Sequence, residues 1–353
     1  MSANMDRLLF SIATILFSSL PSIKRSSAPL ESFGRVLVQD STTIPLPDQF
    51  SKAFPGSKNQ HKAGASLKVQ LVLDLLSNSI PHLSISGFNR NDQAASKDIL
   101  SVASPGDLVL RDLGYYTFAS FAGMIKRGIF FLSRLHSSSI PLDVTTREPL
   151  KLAKILRKKK RIDQPILLGT KAKIPVRLVA IPVPEAVANQ RRRKARNNRD
   201  TRLNPTKDRL FLMGWTIFIT NIEPETCDAD ALDRLYRLRW SIEIVFKAWK
   251  SHLRLKNLNL GSESMLRVSI ASRLLACALS YRITGSLEAC APPDQQVSIL
   301  RVAKVLSGCT LLIMALLLKV SAEDLLQTLV ANLTFYEERT DRINLQQRLQ
   351  GLG

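Results

Sequence analysis

The sequence predicts an α/β fold, a mixed sheet with flanking helices that carries a β-rich basic insertion and ends in a helical C-terminal tail. Three observations lead to it. Residues 34–134 run through strand-like and helix-like stretches in quick succession. Residues 235–250 form one helix-like stretch with two chemically opposite faces. Beyond residue 261, Leu and Ala recur at helical spacing. A chain of 353 residues, 45% of them hydrophobic, is long and apolar enough to bury a sizeable core.

Taken in order, residues 1–33 read as a short apolar helix and a linker rich in Ser, Lys, Arg and Pro. The apolar run 8–20 has the look of a signal-peptide core, but Asp6 spoils its basic flank and no small-residue cleavage site follows. It is also too short to span a bilayer, so a buried helix in a cytoplasmic protein is expected. Strands are expected at 36–39, 65–74 and 82–88, an antiparallel meander whose first strand ends at Asp40, Ser41, Thr42 and Thr43. Asn91, Asp92 and Gln93 suit the cap of a short helix reaching Leu100, with Asp92 itself as a cap. A strand at 108–110 leads to Arg111 and Asp112, then a helix at 117–126 and a strand at 129–133. Three strands, helix, strand, helix, strand is the succession that a ribonuclease H-like core requires. In that fold the first and fourth strands lie side by side.

Residues 135–210 read as the insertion, with a strand at 176–181 between two basic clusters, 157–161 and 191–194 with Arg196 and Arg199. Residues 211–260 complete the core through a strand at 211–220, which contains Trp215, and a helix capped by Asp228 or Asp230. Residues 261–353 form the tail, with helices at 265–281, 296–306, 310–320 and 322–336.

Charge narrows the function. The 50 Lys and Arg against 29 Asp and Glu leave a net charge of +21, which calls for an extended polyanion, nucleic acid before membrane. Cys227, Cys277, Cys290 and Cys309 are too dispersed for a zinc knuckle or a disulfide scaffold, and the four histidines have no ligand-like spacing. The basic clusters read as phosphate contacts, and Lys58, His61 and Lys62 form a loop near Asp40 that is able to touch DNA.

On the helix at 235–250, Tyr236, Arg239, Glu243, Lys247 and Lys250 fall within a sector about 80° wide, with Leu238, Ile242, Val245 and Trp249 opposite. One stripe enters a core. The other offers a carboxylate, an aromatic hydroxyl and three cations, a face suited to a metal ion and a phosphate backbone. Arg239 can fork onto phosphate, Lys250 supplies a point charge and Tyr236 donates from a rigid ring. Phosphodiester chemistry needs an activated oxygen nucleophile and stabilisation of charge on phosphorus. Two divalent ions held by carboxylates supply both. Asp40, Asp112 and Glu243 are the trio for Mg2+, with Mn2+ as substitute. Taken singly, Asp40 and Asp112 fit an ordinary turn role better; it is together that they point to a metal site.

Tyr236, two residues, Arg239, three residues, Glu243, six residues, Lys250 resembles the signature of the insertion sequence 4 family of bacterial transposases. The context of Asp112 in Leu110, Arg111, Asp112, Leu113, Gly114, Tyr115 is similar to the family's second Asp, although Leu113 replaces an Arg common in relatives. The resemblance covers about residues 35–260. It implies that Glu243 completes an Asp-Asp-Glu metal site, that Trp215 stacks a flipped base, and that the chain cleaves and transfers DNA strands at an element's ends. A hairpin intermediate is among the family's routes. It also implies two DNA partners, terminal repeats and target, and a homodimer when DNA is bound. Trp215 fits a core position in its strand as well. Family members usually carry a long helical DNA-binding region before the first Asp, whereas 39 residues precede Asp40 here. Either terminal-repeat recognition is done elsewhere or residues 1–33 are a shortened counterpart of that region. The rival functions are a ribonuclease H-like nuclease without strand transfer and a non-catalytic DNA-binding remnant.

Overall fold

The computed structural model describes residues 2–18, 30–59, 62–197, 205–292, 296–308 and 336–337. The strands are β1 (Val36–Leu46), β2 (Pro55–Asn59), β3 (Lys62–Asp74), β4 (Ser79–Gly87), β5 (Leu108–Arg111), β6 (Phe130–Arg134), β7 (Pro141–Leu142), β8 (Ile162–Leu168), β9 (Ile174–Pro182) and β10 (Trp215–Thr220). Among the described residues they form one sheet in the order β2-β3-β1-β5-β6-β10-β9-β8-β7, with β4 also paired to β3. β1, β5 and β6 are parallel, whereas β3 and β4 run antiparallel to their neighbours. The order β4-β3-β1-β5-β6 with these directions is the ribonuclease H-like arrangement that the succession of elements predicts. Strands of the insertion extend that same sheet through β10.

The helices are α1 (Ser2–Ser18), α2 (Ile99–Val102), α3 (Phe118–Lys126), α4 (Leu152–Leu156), α5 (Glu185–Arg196), α6 (Lys207–Leu212), α7 (Ala229–Arg237), α8 (Trp240–Ser251), α9 (Glu263–Ala289) and α10 (Ile299–Gly308). A further short pair, β11 (Gln296–Val297) and β12 (Tyr336–Glu337), stands apart from the main sheet. α1 buries Ala13 and Phe17, and the Phe17 ring lies 5.4 Å from that of Trp249. No helix among the described residues is long and apolar enough to cross a membrane.

Strand alternation decides what faces what. Val36 and Val38 of β1 and Leu108 and Leu110 of β5 share one buried cluster with Leu235, Leu238, Ile242 and Trp249 of the α7–α8 region. Leu37 and Val109 point the other way, into a cluster with Phe121 and Met124 of α3. Parallel strands covered on both faces need such unbroken apolar runs, and each fully buried side chain contributes roughly 1.5–3 kcal/mol. Asp40 lies two residues beyond Val38, and Asp112 two beyond Leu110, so both belong to the α8 side. At the far end of α3, Gly128 takes φ +66° and a Schellman pair, Gly128 N to Ile125 O and Ile129 N to Met124 O, both 3.0 Å, turns the chain into β6.

Several elements differ from the sequence reading. β1 continues through Asp40 to Leu46, because residues 37–46 pair with β3 without a break. Residues 207–212 form α6, capped by Thr206, where a strand beginning at 211 is expected. β2, β8, α4 and α5 are additional, and α5 is the form that the 191–194 cluster takes. The helix at 296–306 begins only at Ile299, after β11. The single helix at 235–250 is two. Between α7 and α8, backbone N–H groups of Leu238, Arg239 and Ser241 bond to the carbonyls three residues back, tightening the turn. Asp228 caps α7 by accepting from Ala231 N at 2.7 Å. The helix expected at 310–320, residues 322–335 of the next one, Arg199, Cys309 and His61 lie outside the described residues, and Tyr336 pairs in β12.

Candidate active site

Three elements far apart in sequence converge on one guanidinium. Arg239, in the tightened turn, lies 3.0 Å from Glu243, 3.9 Å from Asp40 and 3.9 Å from Asp112. Its residue is only 8% exposed. The Glu243 contact is the helical i,i+4 pair, the one contact of the three at hydrogen-bond length. Asp40 comes from β1, Asp112 from the end of β5 and Glu243 from the first turn of α8. All three acids expected from the sequence therefore stand on the same side of the sheet.

Asp40 registers how far this site is withdrawn from water. Burial first of all, and then the charges of Asp112 and Glu243, raise its carboxyl to about 6, against the opposing pull of the Ser41 N–H and Arg239. Arg239 moves up too: burial opposes its charge, but Asp112, Tyr236, Glu243 and Asp40 together outweigh that cost.

The remaining members of the α7–α8 face divide. Tyr236 spends its hydroxyl on the Arg111 carbonyl at 3.2 Å, so it supports the site rather than offering a free donor as expected. Its ring carries two guanidinium groups, Arg134 at 5.8 Å and Arg239 at 5.9 Å. Lys250 is half-buried, and burial followed by Lys256 lowers its pKa while Asp40 pulls it the other way. Lys247 is exposed on α8. Trp215 is half-buried at the start of β10, with its ring 6.5 Å from that of Phe211. It lines a groove of about 1110 Å³ together with Leu113, Arg134, Arg157 and Arg191. Leu113, which follows Asp112 directly in the chain, brings the lining of this groove next to one of the three acids.

Residues 31–279 match the family described as the transposase DDE domain. The chain belongs to that family. Among curated members, the transposase for insertion sequence element IS231F of Bacillus thuringiensis subsp. israelensis is 26% identical over 274 residues, 72% of this chain and 57% of that protein. The transposase for insertion sequence element IS1151 of Clostridium perfringens is 28% identical over 271 residues, 71% of this chain and 57% of that protein. The chain thus spans somewhat over half the length of these relatives. A solved piggyBac transposase synaptic complex with hairpin DNA aligns with 89% of this chain and 60% of that chain, at 10% identity and a TM-score of 0.42.

The DDE domain implies dependence on a divalent cation. The donor chemistry fits, since three carboxylates gather at Arg239, with Arg134 reaching Asp112 alone, and one of them is driven toward neutrality, chiefly by burial. Among the described residues, no three His, Cys, Asp or Glu side chains stand close enough to grip one ion as they are. The carboxylates are instead arranged around Arg239.

Some contributors escape the sequence reading. Arg134 ends β6 and lies 3.8 Å from Asp112; parallel pairing of Arg111 with Ser133 is what carries it there. Behind the acids, fully buried Arg111 donates to Gln39 Oε1 at 2.9 Å, to the Ser96 carbonyl at 2.8 Å and to the Ser120 hydroxyl. Gln39 and Arg111 directly precede Asp40 and Asp112 and are register partners. Asp92 is no helix cap. It accepts from Ser41 Oγ at 2.8 Å, Lys68 Nζ at 2.8 Å and Gln70 Nε2 at 3.2 Å, while Asn91 accepts from Ala94 N. Burial alone would raise Asp92, but Lys68 and the other donors hold it low.

Proposed function

We propose that this chain is the catalytic part of an insertion-sequence transposase, in the insertion sequence 4 group with the Tyr-Arg-Glu-Lys signature, which cleaves DNA and joins the freed end to a target. The observation that carries this reading is one guanidinium within 3.9 Å of Asp40, Asp112 and Glu243. Those three side chains would hold Mg2+, two ions in all, with Mn2+ as substitute. When bound, such ions activate an oxygen nucleophile and stabilise charge on the transferring phosphate.

The protein's own groups supply the rest. Arg239 and Arg134 fork onto phosphate oxygens, Lys247 and Lys250 add point charges along α8, and Tyr236 holds both guanidinium groups over its ring. Trp215 offers a stacking surface in the wall of the groove, worth roughly 1–3 kcal/mol for an unstacked base. The net charge of +21 and the basic helix α5 favour a long DNA footprint. Terminal repeats and target DNA are the partners, bound by two copies of the chain, and cleavage through a hairpin is one route open to it. The chain works in the cytoplasm, on the nucleoid.

Replacing Asp40, Asp112 or Glu243 by Ala tests the reading. Magnesium-dependent cleavage should fall by on the order of 10³-fold or more, with affinity for DNA retained. Cleavage that survives all three replacements would refute it. A pre-cleaved end with a free 3′-hydroxyl should give joined product, and hydrolysis without joining would reduce the enzyme to a nuclease.

A further inference from the structure

We propose that Arg239 is the built-in counter-ion of the acidic site, which a divalent ion displaces onto a DNA phosphate, so that metal and DNA bind cooperatively. The inference rests on the reading of Asp40, Asp112 and Glu243 as the metal-holding acids. It goes further by giving Arg239 two alternative anions rather than one.

The geometry argues for exchange. Arg239 touches three carboxylates yet reaches hydrogen-bond length with only Glu243. Its Nε is buried and has no hydrogen-bond partner among the described residues, so the fork is only partly used. A divalent ion bonds carboxylate oxygens directly at roughly 2.0–2.6 Å, much closer than a guanidinium can come, and carries twice its charge. Ion and guanidinium cannot share the space among three side chains already arranged around Arg239.

The displaced group cannot go unpaired. A mostly buried guanidinium without an anion is costly, and phosphate is the anion that its planar fork fits bidentately. The Tyr236 ring provides a fixed floor for that movement, because its hydroxyl is tied to the Arg111 carbonyl. Arg134 lies over the same ring, beside Asp112, so a phosphate near this edge meets two guanidinium groups. Linkage then makes the effect reciprocal: metal frees Arg239 for DNA, and DNA draws Arg239 away from the metal's place.

The test titrates Mn2+ into the full chain by calorimetry without DNA, for the wild type, Arg239→Gln, Arg239→Lys and Asp112→Asn. In parallel, a short generic duplex is titrated by fluorescence anisotropy in EDTA and in Mg2+ at constant ionic strength. Arg239→Gln should bind Mn2+ about tenfold more tightly than the wild type. The wild type's affinity for the duplex should rise with Mg2+ by a factor within roughly 5–150, and the variant's should not. If thermal melting finds Arg239→Gln unfolded, Arg239→Lys gives the answer. It keeps the charge without the fork, and should bind Mn2+ more tightly than the wild type by a smaller factor and lose the coupling. Variants that bind Mn2+ no more tightly than the wild type, or whose DNA affinity responds to Mg2+ as the wild type's does, overturn the proposal. Failure of the underlying site reading looks different: the wild type takes up no Mn2+, or Asp112→Asn takes up as much.

Discussion

The two faces of the β1–β5 pair bury polar groups in opposite ways. On the α3 side, Arg111 is fully buried, and its terminal nitrogens meet Gln39, Ser96 and Ser120. On the α8 side, Asp40 and Asp112, one residue further along each strand, meet Glu243 around Arg239, with Arg134 beside Asp112, and burial above all pushes Asp40 to about 6. The first face ties the strands together through a cation that meets only neutral acceptors, with its Nε unpartnered among the described residues and burial lowering its pKa to about 10. The second keeps excess negative charge next to the first, at a cost in stability that a bound cation would offset. A site whose charges were fully paired would have no affinity left for a metal or a substrate.

That contrast can be broken from behind. Arg111→Leu leaves Gln39 Oε1, the Ser96 carbonyl and the Ser120 hydroxyl without their donor. Stability should drop by on the order of 3 kcal/mol or more, equally with and without metal, as measured by urea unfolding. A loss under 1 kcal/mol would mean that the α3 side does not hold the strands in register.

The front face should respond in the opposite sense. Asp40 has its pKa raised in the folded protein, from 3.8 to about 6, so folding favours its protonated form. The resulting penalty is fully present above about pH 6, shrinks as pH falls, and is gone below about 3.8. Asp40→Asn should therefore stabilise the metal-free protein at pH 7.5 by on the order of 1–3 kcal/mol, with the gain fading toward pH 4. Destabilisation at pH 7.5 would contradict the account of the crowded acids.

A smaller change sharpens the link between the faces. Tyr236→Phe removes the 3.2 Å bond to the Arg111 carbonyl but keeps the ring beneath both guanidinium groups. A loss of about 0.5–1.5 kcal/mol in thermal unfolding is expected. A larger one would give Tyr236 a structural role beyond that bond.

The core order and the three acids could be read from the sequence because strand runs, turn residues and the Tyr-Arg-Glu-Lys spacing are local patterns. What depends on partners distant in sequence could not. Asp40, Ser41 and Thr42 look like a turn, yet pairing with β3 keeps them in a strand. Pro165 and the neighbouring basic cluster mask β8, which tolerates the proline near the thinly paired edge left by the two-residue β7. Phe211, close to Trp215, reads as strand, but Thr206 and Asp208 start a helix there, a capping signal present in the sequence and outweighed by the aromatic residues. Nothing local marks the tightened turn between α7 and α8, which contains neither Gly nor Pro. The bridging position of Arg239 needs β1, β5 and α8 assembled.

The central claim is that Asp40, Asp112 and Glu243 hold a divalent cation in common, and a crystal structure with Mn2+, read by its anomalous signal, tests it most directly. The account predicts a peak among these side chains, with oxygens of all three residues within about 2.6 Å of an ion and Arg239 moved away from them. A peak elsewhere, or Arg239 still bridging the three carboxylates at saturating Mn2+, would contradict it.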